Sequence, residues 1–497
     1  MGPVRVAAAT GFAVVLALAA LSAGPGGGVA AGPFLVGYSG SGALTAALRT
    51  GHAQLVRRLG PLHVAEVRAN DPAAMRRLPG IRFVVRPTAR LSADAPPGPI
   101  TTAAAGSALQ WQYAAIGEAG VPDTVLRAAA AIRIAVVDTG ADLAAPDLAA
   151  KSPETYNTRT GTSDVRDENG HGTFVASLAA GSVRNGDGFV GAGGDAQLLV
   201  VKSGSPNGAF TDMDEAAGII YAVDHGARII NLSVGGPSTS SVERRAISYA
   251  VQHGVLVVAA VGNEHGFGDP VEYPAALLQP VGSAGVGGGG LAVAASTASG
   301  GRASFSNTGS WVSLAAPGEN VLGNLSELSS PLVYPRTLLP GSPTGLYGFA
   351  SGTSFAAPQV AGAAALVWAA NPSLDAQQVA AILKETASGA RRWTPEVGFG
   401  VIDVAAAVAR AQAGTRDVLL SATRSGSRVH LTWGGDGSAY TLMVSVDGQT
   451  LRPVLSRTSL TTTLVTVPRG HTYSFTVAAL DASGVPAATS VPLTVSR

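Results

Sequence analysis

Between about residue 105 and residue 413, short apolar runs alternate with amphipathic stretches, and this alternation constrains the fold more than any other feature of the chain. Ile132 to Val137, Leu198 to Val201, Arg228 to Ser233 and Val255 to Ala260 are brief and nearly continuous in apolar residues, as expected of strands buried on both faces. Met213 to Asp224 and Ser241 to His253 lie between them with helical spacing, and Phe355 to Ala370 and Leu374 to Thr386 follow as further helices. Strands joined through helices pair in parallel, because a parallel connection needs a crossover of helical length. The expected fold is therefore α/β, with a doubly wound, mostly parallel sheet covered by helices on both faces.

Two differently built regions flank this one. Residues 32–95 read as a small α+β unit. Strands are expected at Phe34 to Tyr38, His63 to Val67 and Ile81 to Val85, and helices over Ala43 to Leu59 and from Asp71 to Leu78. A Pro/Gly/Thr-rich linker, residues 96–110, separates it from residues 111–413. Beyond residue 416 helical periodicity stops. Strands such as Arg428 to Trp433, Ala439 to Val444 and Tyr473 to Ala478 are punctuated by turn residues, which predicts a β-sandwich over 416–497.

Composition narrows the function. With 33 Lys and Arg against 32 Asp and Glu, the net charge is +1, and no basic footprint for nucleic acid exists. There is no cysteine, which excludes disulfides, thiolate nucleophiles and cysteine-bound zinc together. At the N-terminus, Val6 to Leu21 is an uncharged apolar run shorter than the ~20 residues a membrane span needs. Small residues follow it, with cleavage expected after Ala31 or Ala23, so residues 1–31 read as a signal peptide of a secreted protein. No later stretch reaches transmembrane length.

Three segments of the central region carry reactive groups. Val137-Asp138-Thr139-Gly140 ends a buried strand with a carboxylate, and Gly170-His171-Gly172-Thr173 starts a helical run with an imidazole. Gly352-Thr353-Ser354-Phe355-Ala356-Ala357-Pro358 starts another with a hydroxyl, Pro358 being expected in its first turn. In a parallel sheet, strand C-termini and helix N-termini meet along one edge, where ligands bind. A serine is a useful nucleophile only when an imidazole takes its proton, and the imidazole needs a carboxylate to hold its tautomer. A fourth segment, Val257 to Glu264, ends a strand with Asn263, whose amide can donate to an oxyanion. Singly, each residue has an ordinary explanation as turn, cap or surface group; the order Asp, His, Asn, Ser gives them joint meaning.

These segments resemble the active-site signatures of the subtilisin-like serine proteases, over about 300 residues. The resemblance implies that Asp138, His171 and Ser354 are catalytic and that Asn263 completes the oxyanion site. It also implies that Ser233, Val234 and Gly235 pair with the substrate backbone, and that Ala259, Ala260 and Gly262 form a wall of the primary pocket. Glu272, before Tyr273-Pro274, falls at that pocket's floor; it either reads an Arg or Lys side chain or turns to solvent. Asp147 is either a structural calcium ligand or a solvated carboxylate, with Arg184 to Asp187 a poor match to the partner loop. The chemistry itself implies no cofactor. Phe174 stands where the family commonly has a second histidine, and Leu322 to Gly348 reads as a long surface loop near the cleft. Residues 32–95 are similar to the family's propeptide and 416–497 to a fibronectin type III module. The expected partners are protein or peptide substrates and the chain's own propeptide, the expected state a monomer and the activity that of an autoprocessed endopeptidase. A silent binding protein, an esterase and a peptide ligase are the alternative readings.

Overall fold

The computed structural model describes residues 32–92, 109–183, 191–285, 288–337, 346–390, 392–413, 418–435, 437–447, 449–490 and 493–496. The expected signal peptide, most of the linker and the Arg184 to Asp187 segment lie outside these residues.

The centre is a seven-stranded parallel sheet. From one edge to the other its strands are Leu314–Pro317, Leu291–Ser296, Leu256–Ala260, Ile229–Leu232, Arg133–Asp138, Gln197–Lys202 and Glu154–Asn157. The first of these in the chain, Arg133–Asp138, lies inside the sheet between Ile229–Leu232 and Gln197–Lys202, both parallel to it. The chain fills one side of that strand and then crosses to fill the other. The strand order therefore reverses beside Asp138, and such a reversal opens a crevice at the C-terminal ends of the strands. Every residue of Ile229–Leu232, Leu256–Ala260 and Leu291–Ser296 is buried, as their dominantly apolar character leads one to expect, with Asn231 and Ser296 the polar members.

Helices Asp212–Asp224 and Ser241–Gln252 pack against each other, and helix Thr353–Ala370 packs against helix His171–Ala180 and the central strands. In Thr353–Ala370, all residues from Thr353 to Trp368 are buried. Its Ala- and Gly-rich sequence suits that position, because small side chains admit close neighbours on every side: a Cβ on Gly362 would come within 2.6 Å of the Ala192 and Gly193 backbone. Pro358, expected in the first turn, is instead the sixth residue of this helix.

The N-terminal unit is a four-stranded antiparallel sheet in the order Gln54–Leu59, Val64–Ala69, Gly32–Tyr38, Ile81–Val85, with helices Ser41–Thr50 and Pro72–Arg76. The helix expected over Ala43 to Leu59 stops at Thr50. Gly51 closes it, donating to Ala47 O at 2.8 Å, and Gln54–Leu59 instead pairs with Val64–Ala69. Leu35, Leu59, Leu62 and Val64 join the core of the central region, so this sheet is docked on it. Arg57 pins the contact through Asp214 at 2.7 Å and the Thr158 carbonyl at 3.1 Å.

Past residue 418, two antiparallel sheets form the strand-rich C-terminal region. One contains Val418–Ser425, Arg428–Gly435 and Thr462–Thr466. The other contains Arg452–Thr458, Ala439–Val446, Thr472–Leu480 and Pro486–Thr489, with Leu493–Ser496 also paired to Thr472–Leu480. Trp433, Tyr440, Leu442, Phe475 and Val477 fill a core of their own between them, the arrangement of a β-sandwich. Among the described residues no helix is long and apolar enough to cross a membrane.

Candidate active site

Asp138 ends the strand at the reversal point, and His171 is the first residue of its helix. Their side chains meet with His171 Nδ1 2.7 Å from Asp138 Oδ1, and the Thr139 N–H donates to the same oxygen at 2.7 Å. Two glycines permit this approach. A Cβ on Gly172 would lie 2.2 Å from the Gly140 carbonyl oxygen, and Gly140, at φ +125°, would place its own 2.3 Å from Val165 O. The glycines flanking the reactive residues thus let two backbones touch. Burial pushes the Asp138 carboxyl above its usual range, and the His171 imidazole and the Thr139 N–H oppose that. With its proton on Nδ1 held by the carboxylate, the imidazole has Nε2 as its basic nitrogen.

Asp167 lies outside the segments the sequence singles out. It is buried, accepts from Thr139 Oγ1 at 2.8 Å and Gly170 N at 2.9 Å through Oδ1, and from Thr173 N at 2.8 Å and Thr173 Oγ1 at 2.6 Å through Oδ2. It therefore ties the Asp138 turn to the first turn of the His171 helix. Its signal was an acidic residue four positions before a helix start, which is too common to single out without the fold.

Ser354 is the second residue of helix Thr353–Ala370. Its Oγ donates to Ser233 O at 3.2 Å, while Ser233 Oγ donates to Ser354 O at 2.7 Å. The position of Pro358 explains the second bond. A helix carbonyl normally accepts from the N–H four residues on, and Pro358 has none, so the Ser354 carbonyl takes the Ser233 hydroxyl instead. The ring of Phe355 lies 5.6 Å from that of His171 and 4.6 Å from that of Phe174. Asn263 Oδ1 accepts from Thr353 N at 2.9 Å, which orients the amide so that its NH2 end is the donor. The four segments thus converge, and Asp138, His171 and Ser354 are all shielded from solvent.

Val234 and Gly235 form a short strand beside this cluster, and the chain's own strand Ala89–Ser92 is paired to it, with Val234 opposite Ser92 and Gly235 opposite Leu91. On its other side Ala89–Ser92 pairs with Ala209–Thr211. Ala259 and Ala260 lie buried within the central strand. Gly262 has φ +100°, and a Cβ there would meet Glu272 Cγ at 2.6 Å. Glu272 is itself only 3% exposed and does not turn to solvent, with Oε2 3.0 Å from where a Gly235 Cβ would be. Burial, then the nearby Glu264, raise its carboxyl to about 8, with Arg90 opposing.

Asp147 is buried, not solvated. Its Oδ2 accepts from Asn324 Nδ2 at 2.7 Å and its Oδ1 from Tyr347 OH at 3.1 Å. Both oxygens accept hydrogen bonds from neutral side chains, and the partner segment Arg184 to Asp187 lies outside the described residues. The segment Leu322 to Gly348 is not simply a surface loop. Strands Val321–Asn324 and Tyr347–Ala350 pair at its base, and Leu325, Ser326, Ser329 and Tyr334 are buried, with Ser326 Oγ donating to Asp167 O.

A reversed parallel sheet with a carboxylate-held imidazole and a serine at a helix start defines the class of serine hydrolases with an α/β core. Residues 129–400 match the subtilase family, and the chain belongs to that family. It is 35% identical over 276 residues to Subtilisin Savinase of Lederbergia lenta, a match covering 56% of this chain and 90% of that protein. It is also 35% identical over 234 residues to the thermophilic serine proteinase of Bacillus sp. strain AK1, covering 47% of this chain and about half, 51%, of the relative. In fold it is similar to fervidolysin from Fervidobacterium pennivorans, described as a keratinolytic enzyme related to subtilisin. That likeness has a TM-score of 0.65 at 22% identity, covering 90% of this chain and 87% of the other.

Proposed function

We propose that this chain is a secreted serine endopeptidase, made as a zymogen that processes itself. The observation that carries the reading is the 2.7 Å contact of His171 with Asp138 beside Ser354 at the reversal point of the sheet. Ser354 Oγ attacks a peptide carbonyl as His171 Nε2 takes its proton; Asp138 stabilises the imidazolium. The Asn263 amide and the N-terminal N–H groups of helix Thr353–Ala370 stabilise the oxyanion. His171 then passes the proton to the leaving amine, and water hydrolyses the acyl-enzyme by the same steps. None of these steps calls on a cofactor. Val234 and Gly235 receive the substrate as an added strand, and Ala259, Ala260, Gly262 and Glu272 shape the pocket beside the cut.

The N-terminal unit acts as the inhibitory propeptide. Its strand Ala89–Ser92 occupies the position a substrate strand would take, which supports this role. The C-terminal sandwich is a fibronectin type III-like spacer, and the chain works as a monomer. Labelling with a serine-directed phosphonate tests the chemistry: the natural chain is labelled, Ser354→Ala is not, and equal labelling of both removes the peptidase reading. For processing, Ser354→Ala made in a protease-free host accumulates as a precursor about 60–75 residues larger than the natural product, because the cut lies in the accessible linker. Normal trimming of that variant shows that another protease makes the cut.

A further inference from the structure

Arg90 is the only member of its strand whose side chain is wholly inside the protein among those described. Although it belongs to the N-terminal unit, its guanidinium is enclosed by the central region. Nη1 donates to Glu215 Oε2 at 2.7 Å and to Glu243 Oε1, Nη2 to Glu243 Oε2 at 2.6 Å and to Ser238 O at 3.3 Å. Glu215 comes from helix Asp212–Asp224 and Glu243 from helix Ser241–Gln252, and both carboxylates are buried as completely as the arginine.

Two carboxylates buried together repel each other and lose their hydration, so the arrangement is tolerable only with a cation between them. Burial raises both carboxyls, Glu215 to about 8, while Arg90 opposes the rise. Yet among the described residues the cation between them arrives on a segment that the zymogen reading removes. The pocket itself stays with the catalytic region, and its four acceptor contacts match the planar fork of a guanidinium rather than a single ammonium.

The strand register says where along a substrate this pocket reads. Leu91 is opposite Gly235 and Ser92 opposite Val234. A substrate strand in the same register has the residue three positions after its arginine opposite Ser233, whose carbonyl and hydroxyl both touch Ser354. Resting on the peptidase reading, we propose that Glu215, Glu243 and the Ser238 carbonyl form a substrate subsite selecting arginine at the fourth residue before the scissile bond. Arg90 is then an internal mimic of that side chain.

The test uses the full chain, left to process, and peptides identical except at that fourth position, which carries arginine, lysine, citrulline or norleucine. Arginine is expected to exceed citrulline, its neutral isostere, by at least about tenfold in kcat/KM, the usual size of a charge-assisted pair, with lysine between. In Glu243→Gln the ratio falls toward one; if that variant does not fold, Glu215→Gln serves for the same comparison. Cleavage of all four peptides within about twofold of each other overturns the proposal, and so does an arginine preference that survives both substitutions. If no peptide is cut, the peptidase reading has failed, and the subsite is judged by binding alone. In full-length Ser354→Ala carrying Arg90→Ala, methylguanidinium is expected to raise the melting temperature saturably, and to do so no longer once Glu243→Gln is added. Absence of that rise, or its persistence in the Glu243→Gln chain, overturns the subsite.

Discussion

At the residue scale, most of the site's geometry is set by hydrogen bonds to atoms that do no chemistry. Asn263 is aimed because Thr353 N holds its carbonyl oxygen, so its amide hydrogens are committed before any substrate arrives. Asn263→Ala is expected to lower kcat about 10²- to 10³-fold with KM little changed, a magnitude drawn from subtilisins themselves; steady-state kinetics on a peptide anilide measures it. Glu272 gives a pH prediction. Its carboxyl is raised to about 8, so it is mostly neutral at pH 6 and gains its charge as the pH passes through 8. Only the charged form attracts a cationic side chain. The kcat/KM ratio for peptides with arginine rather than phenylalanine before the cut is therefore expected to rise between pH 6 and pH 9.5. Because both substrates share His171, its titration cancels in the ratio. Glu272→Gln flattens the profile; an unchanged profile in that variant removes Glu272 from recognition.

At the scale of elements, the site depends on backbones meeting where side chains would keep them apart. The strand ending at Asp138 and the helix beginning at His171 touch through Gly140 and Gly172, and Asp167 ties both ends from beneath. Gly172→Ala puts a methyl group 2.2 Å from a carbonyl oxygen that cannot move without disturbing Asp138. It is expected to destabilise the fold by about 1–3 kcal/mol, the usual penalty of overpacking, and to reduce turnover further through the displaced His171. Chemical denaturation and single-turnover kinetics on the same preparation separate the two effects. Pro358 shows the opposite device: a missing donor inside a helix lets Ser233 anchor the Ser354 carbonyl.

For the whole molecule, the N-terminal unit and the C-terminal sandwich relate differently to the catalytic region. The first shares its core through Leu35, Leu59, Leu62 and Val64 and sends a strand into its cleft. The second keeps a separate core around Trp433 and Phe475 and meets the rest through light contacts, among them Ser421 Oγ with Ser283 O at 3.4 Å and His430 Nδ1 with Gly282 O at 3.3 Å. Removing residues after about 415 is therefore expected to leave kcat/KM for small peptides within about twofold, since a separately cored unit can be deleted without unpacking its neighbour. A truncated protein that keeps its circular dichroism but loses activity would place part of the site's support in the sandwich.

The division between chain and fold follows from what each kind of information is. Four of the seven central strands and the four long helices named from the sequence were legible because burial on two faces or one imposes local apolar periodicities, and their ends fall within two residues of the expected ones; Glu154–Asn157, Leu291–Ser296 and Leu314–Pro317 were not read from the sequence. Asp138, His171, Asn263 and Ser354 stood out because each sits in a short segment resembling a family signature, in a chain order that gives them joint meaning; the structure brings those segments together, with Gly140, Gly172 and Gly262 at positions of close approach. The helix expected over Ala43 to Leu59 failed because a half-exposed strand can carry a helix-like pattern until its partner, Val64–Ala69, claims it. Asp167, the engaged carboxylate of Asp147 and the pocket around Arg90 were not legible at all. Each joins residues from several segments, up to 200 positions apart in the case of Asp147 and Tyr347, and is built from charged or polar residues that on their own read as surface. Local spacing records which face of an element is buried; only the packed structure decides which distant polar groups are buried together, and that pairing is what aims the histidine and lines the cleft.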